Sequence, residues 1–315
     1  MKVHGIFFYI MKSFRRMAVA STIATYILIF IGGLVRVSGA GLGCPDWPKC
    51  FGGWIPPTSV DQLPPDIDPN LFNFTLAWIE YVNRLVGVTI GILILATAIL
   101  AIKYFRHDKR ILYSSLAAAL FVAFQGWQGS RVVASGLKAH IVSLHMALAF
   151  IIISLLVYAA YRAYRLEKQE LVLMSNGDEF TVPLISLWIV AISQIVLGTE
   201  VRGEIEMLRD QFPTLSDFTI LDKTGWIPYF HSVLGLALGG GTWYVCSQVL
   251  RQIASSNRFL KNICWSLIGL VSVEMMIGMA LFIFGIPALA QIIHLWIASL
   301  YIGLLLLLYA ATKKI

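Results

Sequence analysis

The order of apolar and polar residues determines the expected class of this chain. Apolar residues continue for about 20 positions at a time, which is the length that a helix needs to cross a bilayer. Hydrocarbon cannot hydrogen-bond to backbone amides, so we expect such runs to be helices. The pattern predicts eight membrane-spanning helices, which lie near residues 17–37, 75–103, 111–133, 139–164, 181–201, 226–250, 259–282 and 288–311.

An internal repeat relates the first four spans to the last four. The segment WIEYVNRLVGVTIG at 78–91 recurs as WIPYFHSVLGLALG at 226–239, an offset of 226 − 78 = 148. A second match, with an offset of 278 − 129 = 149, pairs Gly129, Gly136, Ala139 and His145 with Gly278, Gly285, Ala288 and His294. Such repeats define the architecture. We therefore predict an all-α integral membrane fold of two pseudo-symmetric, parallel four-helix bundles.

The repeat also divides the chain into domains. The N-terminal half covers 1–164 and contains a long connection at 38–74 that is rich in Pro and Gly. The C-terminal half covers 181–315 and contains a second long connection at 202–225. Residues 165–180 include several acidic side chains, and we expect them to form a cytoplasmic linker between the halves.

Charge follows the predicted topology. Only 13% of the residues are charged and 58% are hydrophobic, which excludes a water-soluble globule. The net charge of +7 comes from basic residues before the first span, after the second, fourth and sixth spans, and at the chain end. With eight spans these segments share one side, and the positive-inside rule makes that side the cytoplasm. We therefore predict a multi-pass protein of the bacterial inner membrane, with both termini cytoplasmic and no nucleic-acid partner.

Two cysteines lie close together in the first long connection, in the segment GLGCPDWPKCFGG. Cys44 and Cys50 would face an oxidising compartment, which favours a disulfide or a redox-active pair. A metal site is disfavoured because two cysteines without a nearby histidine supply too few ligands. Cys246 and Cys264 fall in predicted spans, where we expect them to be small packing residues.

Three histidines occupy repeat-equivalent positions within predicted spans, namely His145, His231 and His294, and the fourth equivalent position holds Asn83. An ionisable residue inside a membrane helix suggests function, although a hydrogen bond to a neighbouring helix is the simpler alternative. Two imidazoles that face each other across a bundle are a common way to hold a b-type haem. His231 and His294 lie at similar depth in one half, so they are candidate ligands of one haem.

The N-terminal half carries ionisable residues that the C-terminal half lacks. Glu80 and Arg84 are four residues apart on one helix face, and their equivalents are Pro228 and Ser232. A local ion pair is one interpretation of this spacing. The other is that Glu80 is a general base or charge stabiliser beside a guest bound through His145. Arginines pair well with carboxylates, so four of them near the outer face are candidate partners of haem propionates: Arg36, Arg84, Arg131 and Arg202.

Together these motifs resemble the haem A synthase family. The resemblance rests on GGLVRVSGAGLGCPDWPKC after the first span, WIEYVNR in the second, and the three helical histidines, and it covers about residues 17–311. It implies oxidation of the C8 methyl group of haem O to a formyl group, which gives haem A for terminal oxidases. It also implies that His231 and His294 hold a haem b cofactor. The N-terminal half would then bind the substrate haem O through His145, with Glu80 implicated in catalysis.

One position departs from the family pattern, and the family's cysteine pair is present. Asn83 stands where the pattern has a second histidine opposite His145. An amide is a poor iron ligand, so the resemblance implies a substrate site that is five-coordinate or binds water or a weak oxygen donor. The family's outer-loop cysteines correspond to Cys44 and Cys50.

Other functions fit parts of the pattern. A di-haem electron-transfer cytochrome predicts two full ligand pairs, which Asn83 disfavours. A transporter predicts polar groups near the membrane midplane, whereas the ionisable residues cluster toward the outer face. A haem carrier would keep its role without Glu80.

The resemblance implies haem O synthase and terminal oxidase assembly factors as partners within membrane lipid. A quinone or another electron acceptor and a second copy of this chain stay open as partners.

Overall fold

A computed structural model describes residues 2–167, 177–253 and 257–313, and describes side chains from Ile10 onward. Within these ranges every long element is a helix. The helices are α1 Lys2–Val37, α2 Phe74–Tyr104, α3 Lys109–Ala134, α4 Ala139–Glu167, α5 Thr181–Gln211, α6 Asp217–Lys223, α7 Ile227–Gln252, α8 Arg258–Ile283 and α9 Ala288–Thr312. Short 3-10 turns at Ala40–Leu42, Val60–Gln62, Pro69–Leu71 and Gly177–Phe180 complete the described secondary structure.

Eight of the helices in the described ranges are long and apolar enough to cross a membrane. This finding confirms the predicted all-α fold and the eight predicted spans. The chain is therefore a multi-pass membrane protein. Most of the predicted linker, residues 168–176, lies outside the described part of the chain, so the proposed domain boundaries stay a prediction.

The main difference from the predicted elements lies in the second long connection. Helix α5 continues to Gln211, well beyond the predicted end at 201, and α6 is an additional short helix. The last turns of α5 alternate charged residues with Ile205 and other apolar residues that pack against Ile220 and Leu221 of α6. The predicted span ends where the charged residues begin. The helix continues beyond that point because its apolar face packs against α6.

The backbone has the same conformation in the two repeat-equivalent turns that follow α3 and α8. Gly136 and Leu137 have φ angles of 65° and 61°, and Gly285 and Ile286 have φ angles of 73° and 60°. Positive φ is uncommon for residues with a Cβ atom, so two consecutive positive values mark a specific turn. The same turn therefore occurs at equivalent positions of the two halves.

Within each half the four long helices contact each other in a closed ring. The first ring runs α1–α2–α3–α4, and the second runs α5–α7–α8–α9. The halves meet where α4 and α1 pack against α9, and where α4 packs against α5. At this interface Trp296 donates a hydrogen bond to the carbonyl oxygen of Tyr26 at 3.0 Å, and Ser143 donates one to Glu200 at 3.0 Å. An approximate symmetry axis between the bundles stays a prediction from the repeat.

Both long connections lie at the same end of the bundles, because each joins a first helix of its half to a second. We call this end, which carries residues 38–73 and 212–226, the loop end. The other end carries the turn at 105–108 and the C-terminal ends of α4 and α9. At that end Arg15 pairs with Glu167 at 2.8 Å and Arg162 pairs with Asp108 at 3.0 Å.

Candidate functional site

The three predicted histidine ligands all lie in the first two turns of their helices, at the loop end. His145 belongs to α4, His231 to α7 and His294 to α9. Each is partly buried within its own bundle. The structure therefore brings His231 and His294 together in the C-terminal half, and His145 lies in the N-terminal half, where Asn83 occupies the position equivalent to His231.

The ring centres of His231 and His294 lie 6.3 Å apart, and the rings are inclined by 70°. A metal ion shared by two imidazoles needs about 2 Å for each metal–nitrogen bond. Since the ring centre lies about 1 Å behind the nitrogen, the two ligands need centres about 6 Å apart. The observed separation therefore fits one metal ion between the rings.

The donor set suits haem better than a bare metal ion. Within the described ranges no three His, Cys, Asp or Glu residues are grouped to hold a metal. A closed zinc site needs four protein ligands. A haem needs only one or two, because the porphyrin supplies the other nitrogens. The pair formed by His231 and His294 matches the haem requirement.

Each histidine ring lies against a glycine of a neighbouring helix. A Cβ atom at that glycine would contact the Cε1 atom of the ring, so a larger residue there would compete with the imidazole for space. The distances from such a Cβ to Cε1 are 3.2 Å for Gly198 and His231, 3.4 Å for Gly278 and His294, and 3.7 Å for Gly129 and His145. Only the Gly198 distance is clearly shorter than an ordinary van der Waals contact, so a larger residue would crowd the ring most strongly at His231.

Polar side chains from neighbouring helices also contact the histidines. Gln125 of α3 donates to the carbonyl oxygen of His145 at 2.9 Å, and Gln194 of α5 donates to that of His231 at 2.7 Å. The Oε1 atom of Glu274 in α8 lies 3.1 Å from Nδ1 of His294. These partners were not found from the sequence. Glu274 carries the one signal that was available: it is a charged residue inside an apolar span.

Unpaired polar atoms are concentrated around the histidines. Of the fourteen buried side-chain nitrogen and oxygen atoms without a hydrogen-bond partner in the described residues, eight belong to the three histidines, to the Gln and Glu residues that contact them, and to Glu80 and Asn83 of α2. Buried polar atoms of native proteins normally have partners, so a cluster of unpaired ones indicates that a ligand binds there. They are Glu80 Oε2, Asn83 Oδ1, Gln125 Oε1 and His145 Nδ1 in the N-terminal half, and Gln194 Oε1, His231 Nδ1, Glu274 Oε2 and His294 Nδ1 in the C-terminal half.

The two halves differ in the space beside equivalent glycines of their first helices. Arg36 and Arg202 are equivalent with an offset of 202 − 36 = 166, and this offset makes Gly32 equivalent to Gly198. A Cβ at Gly198 would meet the ring of His231, whereas a Cβ at Gly32 would meet nothing within 4 Å. The N-terminal half therefore has open space beside the glycine whose equivalent contacts an imidazole.

Glu80 is buried, with 4% of its surface exposed, and is held by Arg84. The Nε and Nη2 atoms of Arg84 donate to Oε1 of Glu80 at 3.1 and 2.7 Å. The remaining donors reach the loop carbonyls of Asp46 at 2.9 Å, Lys49 at 2.9 Å and Cys44 at 3.4 Å. A guanidinium has five N–H donors, and all five are used here. In this structure the donors of Arg84 are therefore engaged within the protein, and its pairing with a haem propionate stays a prediction.

The loop that Arg84 contacts is closed by a disulfide between Cys44 and Cys50, which are both buried. It packs closely on α2: a Cβ at Gly43 would overlap the backbone of Leu76. The disulfide loop, Arg84 and Glu80 therefore form one connected unit at the loop end.

The other arginine candidates lie at the loop end in different settings. Arg36 and Arg202 both pair with Glu206, at 3.3 and 2.7 Å, and Nε of Arg36 is buried without a partner. Arg131 is exposed in the last turn of α3, and no ion pair involves it among the described residues. The structure therefore leaves Arg131 and part of Arg36 available to an anionic group.

Comparison with known proteins gives the family. The sequence profile of the family described as cytochrome oxidase assembly protein matches residues 15–307. A protein of Shewanella oneidensis named Heme A synthase is 32% identical over 55% of this chain and 52% of its own length. This chain therefore spans about half the length of that relative.

Two further relatives share the name Heme A synthase and align over longer regions. The Bacillus licheniformis protein is 25% identical, over 80% of this chain and 78% of its own. The Wolbachia protein is 26% identical, over 90% of this chain and 91% of its own. With a family match over nearly the whole chain, and the histidine and Cys-loop geometry described above, the chain belongs to the haem A synthase family of cytochrome oxidase assembly proteins.

Proposed function

We propose that this chain is an oxidoreductase that oxidises the C8 methyl group of haem O to a formyl group, which gives haem A. The C-terminal half holds haem b between His231 and His294. The N-terminal half binds haem O, with His145 as the axial ligand and Glu80 as the catalytic residue. The observation that carries this proposal is the asymmetry between the halves: one has two imidazoles whose ring centres lie 6.3 Å apart, and the other has the single imidazole of His145 and the buried carboxyl group of Glu80.

The chemistry defines what the N-terminal half must do. Conversion of a methyl to a formyl group adds one oxygen and removes two hydrogens. If water supplies the oxygen, the substrate and that water together release four protons, and four electrons pass to an acceptor. A positioned base that accepts protons therefore assists the reaction. Glu80 supplies such a group, because Arg84 occupies its Oε1 and leaves the buried Oε2 without a partner.

The protein environment of Glu80 supports this role. Arg84 fixes the carboxyl group from the side of the disulfide loop, so Oε2 is oriented without help from the substrate. Burial excludes water that would otherwise compete for the same oxygen. Arg131 and Arg36 are candidate partners for the propionates of the substrate, because guanidinium pairs with carboxylate in a bidentate manner.

The C-terminal half has the features of a cofactor site rather than a reaction site. Haem b supplies one-electron redox chemistry when it is bound. His231 and His294 would hold it at both axial positions, and Pro228 stands where the N-terminal half has Glu80. Arg202 is the candidate partner for its propionates.

The cellular setting is part of the same proposal. Basic residues cluster at the end opposite the loop end, so that end faces the cytoplasm of a bacterial inner membrane. The loop end with Cys44 and Cys50 then faces the oxidising side. Haem O synthase would deliver the substrate and terminal oxidase assembly factors would receive the product. A quinone or another acceptor in the lipid would take the electrons.

The proposal is tested by mass spectrometry of non-covalent haems extracted from membranes that make haem O. Membranes are compared without the chain, with the chain, and with Glu80→Gln. We expect haem A or its hydroxylated precursor only with the unaltered chain. The matched control is Glu179→Gln, which removes a carboxylate at the opposite end of the protein and should leave the product unchanged.

The set of haems found in the same samples also separates the alternative functions. If Glu80→Gln still yields haem A, Glu80 is not the catalytic residue. If the chain binds haem b while haem O is unchanged in all samples, the protein is an electron-transfer cytochrome or a haem carrier instead.

A further inference from the structure

An acidic side chain lies deep within the eighth helix. Glu274 is the only charged residue of α8 after Lys261, and it lies nine positions before the helix end at Ile283 (283 − 274 = 9). Its side chain is 19% exposed. A carboxyl group at such depth is costly in a membrane and therefore indicates a functional role. The proposed function described above does not use it.

The neighbour of this carboxyl group is a proposed haem ligand. Oε1 of Glu274 lies 3.1 Å from Nδ1 of His294, and Oε2 is buried without a partner. The imidazole is not turned to align its N–H with the oxygen in this structure, since Nδ1 also has no hydrogen bond. In the described part of the chain His294 is the only basic side chain that pairs with Glu274.

The other half has a different residue and a different contact at this position. Gln125 is equivalent to Glu274 (274 − 125 = 149), and its Nε2 donates to the backbone oxygen of His145 instead of approaching the ring. Nδ1 of His145 has no partner. The same helix position therefore supports the backbone of one histidine and faces the ring of the other.

We propose that Glu274 is a positioning residue for the C-terminal haem, which accepts the Nδ1–H of His294 once the haem is bound. A neutral imidazole carries one N–H, so an acceptor at Nδ1 keeps the proton there and leaves Nε2 to the iron. A carboxylate partner also raises the basicity of the ligand. A more basic ligand stabilises ferric over ferrous iron and lowers the reduction potential. This inference rests on the proposed haem b site.

The consequence is a functional difference between the halves that does not depend on Asn83. Among the described residues, the C-terminal ligand His294 has an acidic partner in Glu274, and no acidic side chain pairs with His145. Haem at the C-terminal site is therefore held more tightly, as a cofactor must be. Haem at the N-terminal site is held by a ligand without this support, which suits a substrate that has to leave.

The test uses the full-length purified protein with its haem, and two substitutions. Glu274→Gln keeps the shape and removes the charge, and Glu274→Ala removes the acceptor. Partners of this kind typically contribute 10–100-fold to metal affinity. We expect Glu274→Ala to lower haem b retention by at least about tenfold. We expect Glu274→Gln to raise the reduction potential of haem b by about 59 mV, which is a tenfold change in the ferric-to-ferrous affinity ratio.

Two comparisons make the result decisive. Glu179→Gln removes a carboxylate from the turn before α5, at the end opposite the loop end, and should change neither haem retention nor potential. Unchanged retention in Glu274→Ala together with an unchanged potential in Glu274→Gln would overturn the role of Glu274 alone. If the unaltered protein shows no six-coordinate haem spectrum that depends on His231 and His294, the haem b site itself is wrong, and the role of Glu274 fails with it.

Discussion

Arg84 donates two hydrogen bonds to the same oxygen of Glu80, Oε1, and leaves the other oxygen of that carboxyl group unpaired. The ion pair that the four-residue spacing suggests is therefore present, and it is compatible with catalysis by Glu80. One oxygen is used for structure and one remains available. The structural interpretation of the pair therefore applies to Oε1, and the catalytic interpretation applies to Oε2 of the same carboxyl group.

The first prediction concerns the guanidinium of Arg84. In Arg84→Lys three donors replace five, and their geometry no longer matches Glu80 and three loop carbonyls at once. We expect formation of haem A to fall by at least about tenfold, because a hydrogen bond to a charged group contributes about 1.5–3 kcal/mol. The quantity measured is haem A per unit of protein in membranes that make haem O. The control is Arg110→Lys, in the first turn of α3 at the end opposite the loop end, and this variant should match the unaltered chain.

The second prediction concerns the disulfide loop. The carbonyl of Cys44 is one of the acceptors of Arg84, so opening the loop should release Arg84 and, through it, Glu80. We expect the double variant Cys44→Ser, Cys50→Ser to make less haem A and to retain haem b. Combination with Arg84→Lys should add little further loss, because both changes disrupt one connected unit. Fully additive losses would show that the disulfide acts independently of Arg84.

The third prediction uses the glycines beside the histidine positions. In Gly198→Ala the new Cβ lies 3.2 Å from the ring of His231, and crowding of this kind costs about 1–3 kcal/mol. We expect a smaller fraction of the purified protein to contain haem b. The equivalent change Gly32→Ala has open space and should retain haem b in full. Equal retention in both variants would contradict the proposed position of the ring.

The fourth prediction concerns Asn83. Asn83 is equivalent to the proposed haem ligand His231, so Asn83→His should supply a second imidazole for the haem that His145 binds. We expect the N-terminal haem to change from a spectrum that responds to carbon monoxide to a six-coordinate spectrum that does not. Asn83→Gln serves as the control, since it fills space without adding an imidazole. If the unaltered protein does not bind carbon monoxide at the N-terminal site, the iron already has a strong sixth ligand and Asn83 is not the explanation.

The sequence predicted the parts of the structure that depend on local or periodic patterns. The eight spans followed from apolar run lengths, and the repeat aligned His231 with Asn83 and His145 with His294. It did not predict the partners of these residues. Gln194 and Gly198 of α5 reach His231 of α7, and Glu274 of α8 reaches His294 of α9, through packing that no single-helix pattern encodes.

The arginines show a second limit of sequence analysis. A guanidinium near the outer face looks the same in sequence whether its donors are free or used. The structure separates them: Arg84 is saturated by Glu80 and the loop, Arg36 and Arg202 share Glu206, and Arg131 is exposed. Hydrogen-bond saturation depends on where the backbone carbonyls of a long loop are placed, and loop geometry is the part of a fold that local patterns specify least.

The central claim is the division of labour between the halves, and identification of the bound haems in single-histidine variants tests it most directly. The chain, His145→Ala and His294→Ala are purified from cells that make haem O, and the non-covalent haems are identified by mass spectrometry. We predict that His145→Ala loses haem O and haem A but keeps haem b, whereas His294→Ala loses haem b. Haem b alone in both sites of the unaltered chain, or loss of the same haem in both variants, would contradict the account.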